Sequence, residues 1–425
     1  MSVYITRNAG SVITVVRVIC LTNHPSWRNN KTMIPRLIEN HIVADLKQKD
    51  KIILVLGARQ VGKTTLVKDI QAKNSDDNTK ILFLNCDIDE QLQPINTTSI
   101  TLLTQLLQNV ELLFIDEAQR LANPGLTIKI IHESFPKIRV VATGSSSLDL
   151  QNKMSDPLTG RMFEFKLFPL SLTEVLSVQH PKESNEYLLK QTADAQLPSV
   201  LTYGLYPEVY TEGDSAQKQR ALVGIAEKYL FKDILSYQGV KNSQAIQDLA
   251  RALAYQIGSE VNEQELSRRL GIDKKTVASY IDVLEKAFVI MRVTPYAKNL
   301  RREIGGKYKT FFIDLGVRNA LIGDFNQPNL RNDLGAIWEN FLMVERMKAY
   351  ANNNEKLVHY NFWRSYDGAE VDYVEKPYDK PLRAYEFKYT NSQVSKGARS
   401  FVSAYETEVK VVNRENYIDF IKGTF

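Results

Sequence analysis

The chain is poor in cysteine: 425 residues contain two, Cys20 and Cys86, far apart in sequence. One distant pair builds neither a disulfide framework nor a zinc site, and this suits a reducing compartment. No apolar run approaches the length of a membrane-spanning helix, so no membrane partner is expected. There is no internal repeat and no low-complexity linker. Charge of one sign is also lacking: 54 Lys and Arg face 49 Asp and Glu, for a net +5. That balance allows a nucleic-acid partner without demanding one, so the location of the charge matters more than its sum. What is present is length enough for two or three cores and an apolar fraction of 44%, ordinary for a globular, cytoplasmic protein.

Residues 1–32 carry Arg7, Arg17, Arg28 and Lys31 and no acidic residue. Arg17 interrupts the β-branched run SVITVVRVICL, unlike the unbroken core of a signal peptide. This segment is expected to be an N-terminal extension, either upstream of the true start at Met33 or a poorly ordered tail, rather than a targeting signal.

From Met33 the pattern alternates. IILVLG (52–57), ILFLNCD (81–87), ELLFIDE (111–117) and RVVATGS (139–145) are short apolar strands separated by helical stretches. Strands apolar on both faces imply a parallel sheet covered on both sides, over 33–180. A helix-rich stretch follows, then a hairpin from FVIMRVTPY and KYKTFFIDLG, within 181–325. The last part, 326–425, opens with helix GAIWENFLMVERMKAY and continues in strands around FWR, AEVDYVEK and RAYEFKYT, as a separate small α/β domain.

GARQVGKTT (57–65) matches GxxxxGK followed by Thr, between a strand and a helix. Gly57 and Gly62 let the backbone fold tightly, so that the N–H groups of Ala58, Arg59, Gln60 and Val61 can face phosphate oxygens. Lys63 is expected on the β and γ phosphates of ATP and Thr64 on magnesium. Thr65 adds a hydroxyl near the α-phosphate. Asp116 ends a buried strand, where open α/β sheets bind ligands, and can hold magnesium through water. Glu117 follows as the group that polarises the attacking water. Thr143 and Ser145 end the next strand as candidate γ-phosphate sensors; TGS is also ordinary turn chemistry. Arg161 is a candidate arginine acting on a neighbouring subunit of a homo-oligomer, or a structural ion-pair partner.

With GARQVGKTT, FIDEAQ, TGSSS, the GR…FPLSLTE segment, GAIWENF, EVDYV and EFK in place, the sequence resembles prokaryotic AAA-type ATPases of the archaeal-type group that carry a C-terminal domain of unknown function. The resemblance implies an additional-strand P-loop sheet, a winged helix and a nuclease-like end domain.

NEQELSRRLGIDKKTVASYIDVLEKAFVI reads as helix–turn–helix: Leu266 and Leu270 share a face, Gly271 turns, Asp273 caps, and Val277, Ile281 and Leu284 recur at helical spacing. Lys274, Lys275 and Ser279 would lie exposed near the start of the second helix. From Asn262 to Thr310 eleven Lys and Arg oppose six Asp and Glu, with Lys298, Arg301, Arg302, Lys307 and Lys309 placed to line a wing facing DNA. Such helices also serve as lids or protein-docking modules.

In the end domain, Glu386 and Lys388 share a strand face, Asp372 lies on the preceding strand, and Glu339 sits on the helix before them. Glu339, Asp372 and Glu386 are candidate magnesium ligands, with Lys388 orienting water or stabilising phosphate charge. This set resembles the PD-(D/E)XK nuclease core, although Val371 stands where that core has proline. A surface strand alternating Glu and Lys has the same pattern. The sequence therefore leaves three functions open: an ATPase acting on DNA, a nucleotide-controlled switch that docks a protein partner, or a metal-dependent nuclease that uses ATP only for assembly.

Overall fold

The computed structural model describes residues 33–424 apart from 48–50, 76–78, 146–157, 181–184, 231–233, 235–239, 241, 298–306, 356, 379 and 391–392. The expected extension 1–32 and the wing residues Lys298, Arg301 and Arg302 lie outside the described residues.

After helix α1 (Glu39–Leu46), five parallel strands form the first sheet: β1 (Ile52–Gly57), β2 (Ile81–Asn85), β3 (Leu112–Asp116), β4 (Arg139–Ser145) and β5 (Met162–Lys166). Their order is β2-β3-β4-β1-β5. Strand β4 lies between β3 and β1, with Val141 beside both Phe114 and Ile53. This is the additional-strand arrangement expected from the sequence. Burial explains the order: β1 and β3 are buried throughout, as central strands must be, whereas β2 alternates. Strand β5 lies outside the four strands expected from the sequence; only Phe165 of MFEFK is buried, as suits an edge strand.

Helix α2 (Lys63–Lys73) leaves the end of β1, and α3 (Pro124–Ser134) precedes β4. Gly57 is required where β1 meets the turn after β5: a Cβ there would lie 2.2 Å from the Leu167 carbonyl oxygen.

Helix α4 (Leu172–Gln179) is closed by a capping box in which Ser171 and Glu174 satisfy each other's backbone N–H. Further helices follow, ending in α5 (Ser243–Tyr255), α6 (Glu263–Leu270) and α7 (Lys274–Lys286). The turn between α6 and α7 forms as its residues dictate. Gly271 takes φ +65°, and Asp273 accepts the Thr276 N–H at 2.9 Å.

Strands β6 (Ile290–Pro295) and β7 (Lys309–Phe312) pair as the expected antiparallel hairpin. They do not stop there. After α8 (Leu334–Asn352), strands β8 (Val358–Arg364), β9 (Glu370–Pro377), β10 (Arg383–Phe387) and β11 (Val409–Val412) complete one six-stranded sheet, β11-β10-β9-β8-β6-β7. Thr294 of β6 pairs in parallel with Asn361 of β8. The boundary expected near residue 325 thus crosses a continuous sheet, because β6 leaves one edge free for β8. Helices α9 (Lys396–Tyr405) and α10 (Tyr417–Lys422) cover the strands.

Helix α8 is buried nearly all round, charges included. Each charge has its partners. Arg346 makes a two-pronged pair with Glu375, at 3.0 and 2.6 Å, and both side chains are fully buried. Lys348 donates to the Leu170 carbonyl at 2.9 Å and to Glu345, whose other oxygen accepts the Leu172 N–H at 2.7 Å. These bonds tie α8 to the start of α4.

Candidate functional site

At the C-terminal ends of β1, β3 and β4 the sequence-predicted groups converge. Gly62 takes φ +96° at the start of α2, and Gln60 takes φ +63°, so the loop 57–62 folds back on itself. The Lys63 ammonium is buried and donates to the Gly57 and Ala58 carbonyls at 2.9 and 2.8 Å. Thr64 donates its hydroxyl to Asp116 Oδ2 at 2.7 Å, and Thr143 donates to Asp116 Oδ1 at 2.5 Å. The same Thr143 oxygen accepts the Glu117 N–H at 3.2 Å. Thr65, one residue on, is exposed.

Glu117 has φ +56° and ψ +44°, a left-handed conformation that glutamate rarely adopts. The bond from its N–H to Thr143 helps hold it there. Gln119, whose role the sequence did not disclose, donates its amide to Glu117 and accepts the Ser145 N–H at 3.2 Å. The Ser145 hydroxyl and the Gln60 amide oxygen are buried with no hydrogen-bond partner. Polar atoms left so are costly and point to a missing partner.

A hydroxyl beside a carboxylate is a hard-oxygen pair of the kind magnesium takes, and the loop's lysine and helix N-terminus suit phosphate. The residues present therefore fit a magnesium nucleotide.

Arg36, also missed, braces the loop from behind. Its guanidinium donates to the Val61 carbonyl at 2.8 Å, the Phe168 carbonyl at 2.7 Å and Glu174 at 3.0 Å. Cys86 is buried beside Asp116, and burial pushes its thiol up to about 12, so it is no nucleophile. Arg161 stands at the start of β5, the opposite end of the sheet from its own phosphate loop, and pairs with Glu133 of α3 at 3.0 Å.

The second set of predicted residues gathers differently. Phe387 donates its N–H to Asp372 at 2.7 Å. Burial raises the Asp372 carboxyl, with the Phe387 N–H, Lys309 and Lys388 opposing. Glu386 is buried and accepts both the N–H, at 2.9 Å, and the hydroxyl of Ser395, which caps α9. Burial lifts the Glu339 carboxyl, with Asp372 adding to the effect and Lys309 opposing it.

Lys309 corrects the sequence reading. It is not a wing residue facing solvent: its side chain is 4% exposed and pairs with Glu339 at 3.0 Å and Glu370 at 2.5 Å. Its strand, KTFF, is buried at every position, so the side chain has only the interior to enter. Burial works against the ammonium, but the two carboxylates outweigh it and raise its pKa. Among the described residues no three His, Cys, Asp or Glu side chains are grouped so as to hold a metal ion.

Of the remaining basic residues, Lys307 pairs with Glu260 at 3.6 Å and Arg292 with Asp282 and Glu285. Arg268, Arg269, Lys274, Lys275, Ser279 and Lys286 are exposed on α6 and α7.

Residues 49–176 match a family model described as a AAA domain, and 194–328 and 334–422 match two domains of unknown function. The chain thus carries a AAA-type P-loop ATPase domain followed by those two domains. An uncharacterized protein of Haemophilus influenzae is 26% identical over 83% of this chain and 86% of its own length. One of Mycobacterium tuberculosis is 27% identical over 82% of this chain and 73% of its own. Among solved structures, AMPPCP-bound DnaA from Aquifex aeolicus is similar at 15% identity, covering 59% of this chain and 86% of that one, with a TM-score of 0.27. That likeness carries no argument about what this chain binds. Among the described residues no helix is long and apolar enough to cross a membrane.

Proposed function

We propose that this protein hydrolyses ATP and that the nucleotide state governs engagement of DNA by its α5–α7 unit and the sheet fused to it. The observation that carries the hydrolytic part is the chain of bonds Thr64–Asp116–Thr143–Glu117. It sets a metal-binding pair and a carboxylate side by side at the mouth of a phosphate loop.

Backbone N–H groups of 58–62 and the start of α2 bind the phosphates. Lys63 exchanges its two loop carbonyls for the β and γ oxygens. Magnesium, when bound by Thr64 and through water by Asp116, supplies charge neutralisation on those oxygens. Glu117 orients and polarises the water that attacks the γ-phosphorus, and Thr143 and Ser145 read whether that phosphate is present. Arg161 is the residue we assign to a neighbouring copy's site in a homo-oligomer, since it stands far from its own.

The DNA part rests on the helix–turn–helix followed by a hairpin, read as a winged helix, and on its exposed Arg268, Arg269, Lys274 and Lys275. Steady-state ATP turnover should rise when duplex DNA is added in low salt, and the gain should fall as salt increases. Replacing Arg269 and Lys275 by alanine should flatten the salt slope of DNA binding by about 0.9 per lost phosphate contact. Turnover indifferent to DNA, with no measurable DNA affinity, would instead favour the second reading, a nucleotide-controlled switch acting in the cytoplasm on a protein partner. The buried, already bonded carboxylates of the end domain support that reading's non-cleaving end domain.

A further inference from the structure

Glu339, Asp372 and Glu386 are the carboxylates that the sequence offered to a divalent ion, and here a lysine from another part of the chain pairs with one of them. Lys309 belongs to β7, which precedes helix α8 in sequence. Its ammonium lies 3.0 Å from Glu339 and 2.5 Å from Glu370, and 5.2 Å from the centre of the Phe362 ring. Two carboxylates and an aromatic face surround one cation.

Neighbouring groups also crowd these carboxylates and the two beside them. A Cβ on Gly258, at φ +72°, would lie 3.0 Å from the second Glu339 oxygen, so the backbone of the helical unit closes over that carboxylate. Asp372 is bound by the Phe387 N–H, and Glu386 by the N–H and hydroxyl of Ser395. A magnesium ion needs oxygens at about 2.0–2.1 Å in octahedral array with several waters. With Lys309 paired to Glu339 and Glu370 these residues offer no such set, so the metal that a nuclease core requires does not fit them while the lysine is in place.

We infer that Lys309 occupies the cation position of the end domain, so that this domain is closed to divalent metal and does not act as a metal-dependent nuclease. The lysine comes from the hairpin beside the helix–turn–helix and its partners from α8 and β9, so the ion pairs also lock the two units together. Any movement that withdrew β7 from α8 would strip the shared counter-charge from Glu339 and Glu370, and their mutual repulsion would oppose it.

The test is Mn2+ binding by the nucleotide-free full chain, followed by paramagnetic resonance. A site belongs to this cluster if Glu339→Gln removes it, which separates it from Thr64 and Asp116. Wild type should show no Glu339-dependent site. Lys309→Met should gain one, and the double variant with Glu339→Gln should lose it. Lys309→Arg, which keeps the charge, should gain none.

A Glu339-dependent Mn2+ site in wild type overturns the inference, as does a folded Lys309→Met variant that gains no site. If Lys309→Met does not fold, the comparison of wild type with Glu339→Gln decides alone. ATP turnover plays no part in this readout, so failure here leaves the ATPase reading untouched, and the reverse also holds.

Discussion

Replacing Glu117 by Gln should lower ATP turnover by roughly 10²–10⁴-fold, or about 3–5 kcal/mol of barrier, while ATP binding survives. The substitution keeps size and shape, so the Gln119 contact and the Thr143 bond to the residue-117 N–H persist. It removes only the negative charge that polarises water. The phosphate loop, Lys63 and the Thr64–Asp116 pair are unaltered, and these provide the binding. Turnover and equilibrium ATP affinity measured side by side separate the two effects. Turnover within about threefold of wild type would remove Glu117 from the role of general base. A loss of affinity matching the loss of turnover would assign it to binding instead. The left-handed backbone at Glu117 gives this assignment weight, because a non-glycine residue is kept in such a conformation only where its surroundings enforce it.

Much of this site was legible because its chemistry is local. A phosphate cradle is made from consecutive backbone N–H groups, so GARQVGKTT carries it in nine adjacent letters. Asp116 and Glu117 were legible because a strand end fixes where they sit. Thr143 followed from the strand that lies between them and the loop. The helix–turn–helix was legible for the same reason: Gly271 and Asp273 act within their own turn.

What escaped depends on contacts between distant segments. Arg36 meets its partner Glu174 from 138 positions away, and nothing near Arg36 marks it. Lys309 was counted with its basic neighbours because charge runs are read as solvated faces. Its own strand held the contrary signal, a lysine opening the apolar run TFF. Glu386 looked free as half of an alternating Glu and Lys pair. It is instead consumed by Ser395, across a connection that carries no motif. Edge strand β5 was passed over because five residues make a weak pattern beside a long helical stretch.

Arg36→Met should destabilise the protein by about 3–5 kcal/mol, the usual effect of removing one member of a buried ion pair. Arg36 is 8% exposed and Glu174 fully buried. The carboxylate keeps the Leu37 and Ser171 N–H groups, at 3.1 and 2.8 Å, but loses its counter-charge. Adding Glu174→Gln should recover part of the loss, because it removes the stranded charge. Thermal melts of wild type and the two variants check this, and an Arg36→Met melt indistinguishable from wild type sinks it.

The second consequence concerns ATP. The same guanidinium holds the Val61 carbonyl of the phosphate loop and the Phe168 carbonyl. Two and four residues further on, Leu170 and Leu172 are bonded to Lys348 and Glu345 of α8. The loop and the end domain therefore share one short segment, 168–174, through buried charge-assisted bonds. If ATP tightens the loop, amide exchange across residues 345–352 should slow in wild type and not in Arg36→Met at saturating ATP. Equal protection in both would show that ATP reaches the end domain by some route other than Arg36, or that it does so through many weak contacts at once.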